Sequence, residues 1–137
     1  MAVLDRFRLD GETAIVTGGN RGIGNAIAHG LAEAGANVVI ANRSADEGEA
    51  AARELADATG VEAQAVPTDV SDEGDVEALV AATVERFGGV DVLVNNAGIA
   101  IHTPAEEKPV EDFRKTLEIN LTGAFLCAKY AGREMID

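Results

Sequence analysis

Five groups of residues in this chain have types and spacing suited to holding a phosphorylated small molecule. The first is the turn Thr17-Gly18-Gly19-Asn20-Arg21-Gly22-Ile23-Gly24. Gly18 and Gly22 let the backbone turn sharply and approach a ligand with no Cβ in the way, and Gly24 lets a helix press on a sheet. Free N–H groups at the helix start then attract phosphate. The others are Asn42-Arg43, Asp69-Val70, Asn95-Asn96-Ala97-Gly98, and Asn120 within Glu118-Ile119-Asn120-Leu121-Thr122-Gly123. Taken singly, each has a plainer reading. The glycines suit a packing turn, Arg21 and Arg43 suit a solvated surface, and Asp69 ahead of Ser71 or Asn-Asn-Ala-Gly suits a polar loop. Asn120 suits a helix amide bonded to its own turn.

The elements that must position these groups decide between the readings. Glu12 to Val16 carries the apolar, β-branched run Ala14-Ile15-Val16 of a strand buried on both faces. From Ile23 the positions Ile23, Ala26, Ile27, Gly30, Leu31 and Ala34 follow helical spacing up to Gly35. The glycine turn therefore lies between a strand and a helix, the context a dinucleotide cradle requires. Asn37 to Ala41 is a second strand; Ser44 with Glu47 three residues on starts a helix that runs to Thr59-Gly60. Val61 to Val66 is a third strand, stopped by Pro67, and Ser71 caps a helix with apolar positions Val76, Leu79, Val80, Thr83, Val84 and Phe87 that ends at Gly88-Gly89. Val90 to Val94 is a fourth strand. A last helix from Val110 or Glu111 presents Phe113, Leu117, Leu121, Ala124, Phe125 and Ala128.

Strict alternation of strand and helix implies right-handed crossovers and a parallel sheet in the order 3-2-1-4. This is an α/β fold, a Rossmann-type doubly wound sheet, expected as a single domain over 1–137 and truncated after the fourth strand and its following helix. The ligand crevice of such a sheet opens between strands 1 and 4 at their carboxyl ends, where the glycine turn and Asn95–Gly98 meet. Three residues separate Gly18 from Gly22, and Thr17-Gly-x-x-x-Gly-Ile-Gly24 resembles the cofactor turn of the classical short-chain dehydrogenase/reductase family. Asn95-Asn96-Ala97-Gly98 resembles that family's second hallmark. The wording of the chain is most similar to gluconate 5-dehydrogenases and 3-oxoacyl carrier-protein reductases.

The resemblance implies a nicotinamide dinucleotide held by Thr17, Gly18, Asn20, Arg21, Gly22, Ile23 and Gly24, with Asn96, Ala97 and Gly98 on the nicotinamide side and Asp69-Val70 at the adenine. The end of the second strand selects the nucleotide, because an acid there binds a free ribose 2′-hydroxyl and repels a 2′-phosphate. Asn42-Arg43 stands there, with Arg21 as a second cation, so NADP(H) is expected in preference to NAD(H). The resemblance also implies hydride transfer between nicotinamide and an alcohol or ketone such as a sugar acid, a sugar or a 3-oxoacyl thioester. In that family a serine, a tyrosine, a lysine and a helical asparagine act together; Asn120 matches the asparagine. Tyr130 is the only tyrosine, and Glu134 stands where Tyr-x-x-x-Lys needs lysine. The 137-residue polypeptide alone is therefore expected to be marginally stable and inactive, either the cofactor half of an oxidoreductase or a non-catalytic NADP(H)-binding module. Family tetramers imply a homo-tetramer or dimer, with contacts through the helices starting near Ser71 and Val110.

Composition bounds the partners. A balance of 24 acidic to 11 basic residues leaves a net charge of −13, which disfavours nucleic acid and anionic membranes. Few lysines and many helical carboxylates resemble the surfaces of proteins from salt-loving organisms. The first residues lack a basic segment followed by an apolar run, so a cytoplasmic location is expected. Cys127, the only cysteine, excludes an internal disulfide and suits a packed, inert thiol. His29 and His102 are expected at the surface, and no spacing suggests a metal site.

Overall fold

The computed structural model describes residues 1–137. After a short turn of 3-10 helix at Val3–Phe7, β1 (Thr13–Thr17), β2 (Asn37–Asn42), β3 (Ala63–Pro67) and β4 (Val92–Val94) alternate with α1 (Gly22–Glu33), α2 (Ala45–Thr59) and α3 (Glu73–Phe87). A long helix closes the chain as α4 (Val110–Leu117), a π-helical turn at Glu118–Thr122, and α5 (Gly123–Ile136). The four strands are parallel in the order β3-β2-β1-β4, so the expected Rossmann-type topology is the observed one.

Strand alternation sends side chains to two opposed layers. Val16, Val38 and Ile40 pack with Ala28 and Ala32 of α1 and Leu55 of α2 on one face. Ile15, Val39 and Ala41 pack with Leu79 and Val80 of α3 and Ala131 of α5 on the other. Each fully buried Val, Leu or Ile among them contributes about 1.5–3 kcal/mol. Ser44 caps α2 by accepting from Glu47 N at 3.3 Å, and α2 and α3 end on the left-handed glycines Gly60 and Gly88.

Several local expectations are corrected. β1 runs one residue later than expected and includes Thr17, while β3 and β4 start two residues later, at Ala63 and Val92. Asp72, not Ser71, caps α3, accepting from Asp75 N at 2.9 Å; Ser71 is occupied with Asp69. On α1 the buried stripe is Gly24, Ala28 and Ala32, and Ile23, Ala26 and Gly30 face outward. The small side chains win because α1 lies close to β1 and the turn before it. His29, expected at the surface, is half-buried on this helix.

The same inversion holds at the end of the chain. Ile119, Gly123, Leu126, Cys127 and Ala131 are buried, whereas Phe113, Leu117, Leu121 and Phe125 are exposed by 40–66%. Gly123 seats against Val70, where a Cβ would stand 2.7 Å from Val70 Cγ2, so only a bare backbone allows this approach. The Cys127 thiol is 1% exposed and burial pushes its pKa up to about 11, which makes it inert near neutrality. No helix is long and apolar enough to cross a membrane.

Candidate functional site

A cleft of about 710 Å³ opens at the carboxyl ends of β1, β2 and β4. Its volume lies within the roughly 300–1,000 Å³ typical of small-molecule sites. The glycine turn contributes Gly18, Asn20, Arg21, Gly22, Ile23 and Gly24; the end of β2 contributes Asn42 and Arg43. Asp69 and Val70 follow β3, and Asn96, Ala97 and Gly98 follow β4. Four separate segments of sequence thus converge on one cavity.

Thr17 and Asn120 are not among the residues that line this cleft. Thr17 is 1% exposed and lies beneath it, joining the two glycine-containing motifs. Its Oγ1 accepts from Asn96 N at 3.0 Å and from Ala97 N at 2.9 Å, and donates to Val94 O at 3.3 Å. In return Asn96 Nδ2 donates to Thr17 O at 3.0 Å and to Gly18 O at 3.2 Å. Gly18, at φ +66°, and Gly24 leave the room this amide needs: a Cβ on Gly24 would overlap both Asn96 Nδ2 and the Gly18 carbonyl. What Gly24 presses on is therefore the turn and Asn96, not the bare sheet. Asn120 grips the backbone of Ile99, accepting from Ile99 N at 2.8 Å and donating to Ile99 O at 2.9 Å. Ile99 lines the cleft, so Asn120 acts on it at one remove. Asn95, also outside the cleft, ties β4 to the last helix through Ala124 O at 3.3 Å.

Electrostatics vary along the cavity. α1 has no side-chain cap, so no side chain claims its first amides, and Gly22, Ile23 and Gly24 of this first turn line the cleft, Gly22 at φ +59° where a Cβ would meet nothing within 4 Å. Asp69 is held below the usual carboxylate range, chiefly by the Ser71 hydroxyl, which donates to it at 2.6 Å, with smaller help from Arg43 and Lys115. Asn42 Nδ2 donates to Ser44 O at 2.8 Å, while Asn42 Oδ1 is buried without a partner.

The uncapped amides, the open glycine and the unpaired arginines form a donor set suited to phosphate groups. The short chain dehydrogenase family profile matches residues 12–137. The chain belongs to the short-chain dehydrogenase/reductase family. An uncharacterized oxidoreductase of Thermotoga maritima is 44% identical over 128 residues, covering 93% of this chain and 50% of the relative. A short-chain dehydrogenase/reductase of Mycobacterium marinum superposes with a TM-score of 0.95 at 38% identity, over 100% of this chain and 55% of that one. Two similar solved structures hold cofactor. An NAD+-bound xylitol dehydrogenase gives a TM-score of 0.88 at 37% identity, over 93% of this chain and 49% of its own. L-sorbose reductase of Gluconobacter frateurii, with NADPH and L-sorbose, gives 0.90 at 35%, over 94% and 49%. This short-chain dehydrogenase chain spans about half the length of the curated relatives it matches.

Sequence reasoning missed Ser44, Glu47, Thr68, Ile99 and Ile119 as lining residues. Ser44 and Glu47 carry a sequence signal, a helix cap and the acid three residues on, and that pattern points to capping of α2 and not to a ligand. His102 is exposed outside the cleft. Tyr130 is also outside it; its hydroxyl donates to Glu73 Oε1 of α3 at 2.7 Å, which raises the phenol pKa. No cluster of three or more His, Cys, Asp or Glu side chains could hold a metal ion.

Proposed function

We propose that residues 1–137 are the cofactor-binding part of an NADP(H)-dependent oxidoreductase acting on an alcohol or ketone, of the polyol or sugar class. The observation that carries this reading is the mutual bonding of Thr17 and Asn96, which sets the phosphate turn and the Asn96–Gly98 segment at fixed distance across one cleft. When bound, the nicotinamide dinucleotide supplies or accepts the hydride. The chain's residues do the rest. Gly18 to Gly24 and the α1 amides hold the pyrophosphate, Arg21 and Arg43 favour a ribose 2′-phosphate, and Asp69-Val70 flank the adenine. Asn96 to Gly98 and Ile99, steadied by Asn120, orient the nicotinamide. The polyol and ketose chemistry of the xylitol and sorbose enzymes supports the substrate class. Neither the serine nor the Tyr-x-x-x-Lys of the resembled family stands in these residues, so this stretch alone binds cofactor without turnover.

A second reading, a non-catalytic NADP(H)-binding module, is favoured by one observation: the sole tyrosine is committed to Glu73, away from the cleft. The exposed stripe Phe113, Leu117, Leu121 and Phe125 supports self-association into a dimer or tetramer. The acidic surface supports a salt-rich cytoplasm as the setting.

Titration calorimetry with NADPH and NADH tests the central reading. Saturable binding with NADPH the tighter ligand is expected, and no binding of either refutes it. Reduction of xylulose or sorbose by a longer polypeptide that adds the family's serine and Tyr-x-x-x-Lys to these residues supports the oxidoreductase; cofactor binding with no turnover in such a polypeptide supports the silent module.

A further inference from the structure

β2 ends without a carboxylate, yet a carboxylate reaches the same end of the cleft from α2. Glu47 lies in the first turn of that helix, lines the cleft with Arg43 and Ser44, and accepts from Asn20 Nδ2 of the glycine turn at 3.2 Å. This bond links the segment after β2 to the segment after β1, the two between which the adenosine ribose of a dinucleotide lies. Glu47 is not neutralised by a cation: the ion pairs within 4.0 Å are Arg8–Asp10 and Lys129–Glu73. Asn42, only 8% exposed, adds a buried acceptor without a partner at the same strand end. Asp69, which Arg43 helps to hold below the usual carboxylate range, lines the same cleft. Two arginines, two carboxylates and an orphan acceptor therefore line one cleft, and the pocket is less basic than Asn42-Arg43 alone suggests.

We propose that Glu47 is a specificity-determining residue, whose carboxylate accepts from a free ribose 2′-hydroxyl and opposes a 2′-phosphate, so that NAD(H) is bound alongside NADP(H). The inference rests on the dinucleotide reading above and sharpens it. A hydroxyl donor satisfies an acceptor held in place by Asn20, whereas a phosphate brings like charge to it. A like-charge contact of this kind in a water-filled cleft weakens binding by about tenfold.

The test is calorimetric titration of NADPH and NADH into the protein, its E47Q variant and its E49Q variant. The E47Q side chain keeps the shape and the bond to Asn20 but removes the charge; Glu49 lies on the same helix outside the cleft and controls for net charge. In E47Q, NADPH is expected to tighten by about tenfold and NADH to weaken by about twofold to fivefold, with the ratio unmoved in E49Q. An E47Q ratio within about twofold of the parent, or an equal shift in E49Q, overturns the role of Glu47. Failure of the parent protein to bind either cofactor refutes the dinucleotide reading and this inference with it.

Discussion

Removing the Thr17 hydroxyl should loosen the fold and the cleft together. Thr17→Val conserves volume at a residue 1% exposed, so it leaves no cavity and isolates the polar contribution. The lost oxygen accepts from Asn96 N at 3.0 Å and Ala97 N at 2.9 Å, and no other acceptor bonds either amide in the structure, apart from the 3.1 Å contact of Asn96 N with Val94 O. Stranding a buried backbone N–H costs about 1–3 kcal/mol. Both residues are half-buried and Asn96 N keeps its second partner, so the lower part of that range applies: about 2–3 kcal/mol for the pair. For a chain of this length each kcal/mol shifts Tm by roughly 4 °C, giving a fall of about 8–12 °C. Circular dichroism melts of the parent, Thr17→Val and Thr17→Ser measure it, and the serine variant, which keeps the oxygen, should recover most of the loss. NADPH affinity should fall in Thr17→Val, since the Asn96 and Ala97 amides lose the hydroxyl that holds them, although Asn96 Nδ2 keeps its bonds to Thr17 O and Gly18 O. A Thr17→Val protein within about 0.5 kcal/mol of the parent would refute the view of Thr17 as the joint between the two motifs.

Three further outcomes are expected. Gly48→Ala places a Cβ against Asn42 Oδ1 and 3.2 Å from Ala65 Cβ; despite roughly 1 kcal/mol of helix propensity gained, urea titration should show net destabilisation of about 1–2 kcal/mol. Asp69 has a folded pKa below its ordinary 3.8. Its contribution to stability is therefore present above that value and lost as pH falls through the lower folded pKa; Ser71→Ala, which removes the main cause, should flatten the loss of stability below about pH 4 in acid unfolding curves. Replacing both Leu121 and Phe125 by Glu should leave the melting profile nearly unchanged, because both side chains are more than 60% exposed, and, on the proposed self-association through this stripe, should reduce the mass seen by sedimentation equilibrium to that of the monomer.

The sequence alone determined what depends on neighbours along the chain. Alternating β-branched runs and helical series set the elements, their order set a parallel sheet, and the crossover rule placed the glycine turn beside Asn96 to Gly98. Turn chemistry was legible at Gly18, Gly60 and Gly88 because positive φ leaves few residue choices. Only the tertiary structure decided which face each helix buries. α1 and the last helix each carry two apolar stripes, and periodicity gives their angles without saying which meets the sheet. Close approach did: Gly24 against Asn96 and Gly123 against Val70 admit small residues, so Ala28, Cys127 and Ala131 went inside while Ile23, Leu121 and Phe125 stayed out. The π-helical turn at Glu118–Thr122 adds a residue between α4 and α5, a change of phase that extrapolation at 3.6 residues per turn misses. Glu47 and Thr17 show the same division. The types of these residues were visible, but a bond from α2 to Asn20, or from β1 to the far side of β4, joins positions 27 and 79–80 residues apart, a separation local patterning does not encode.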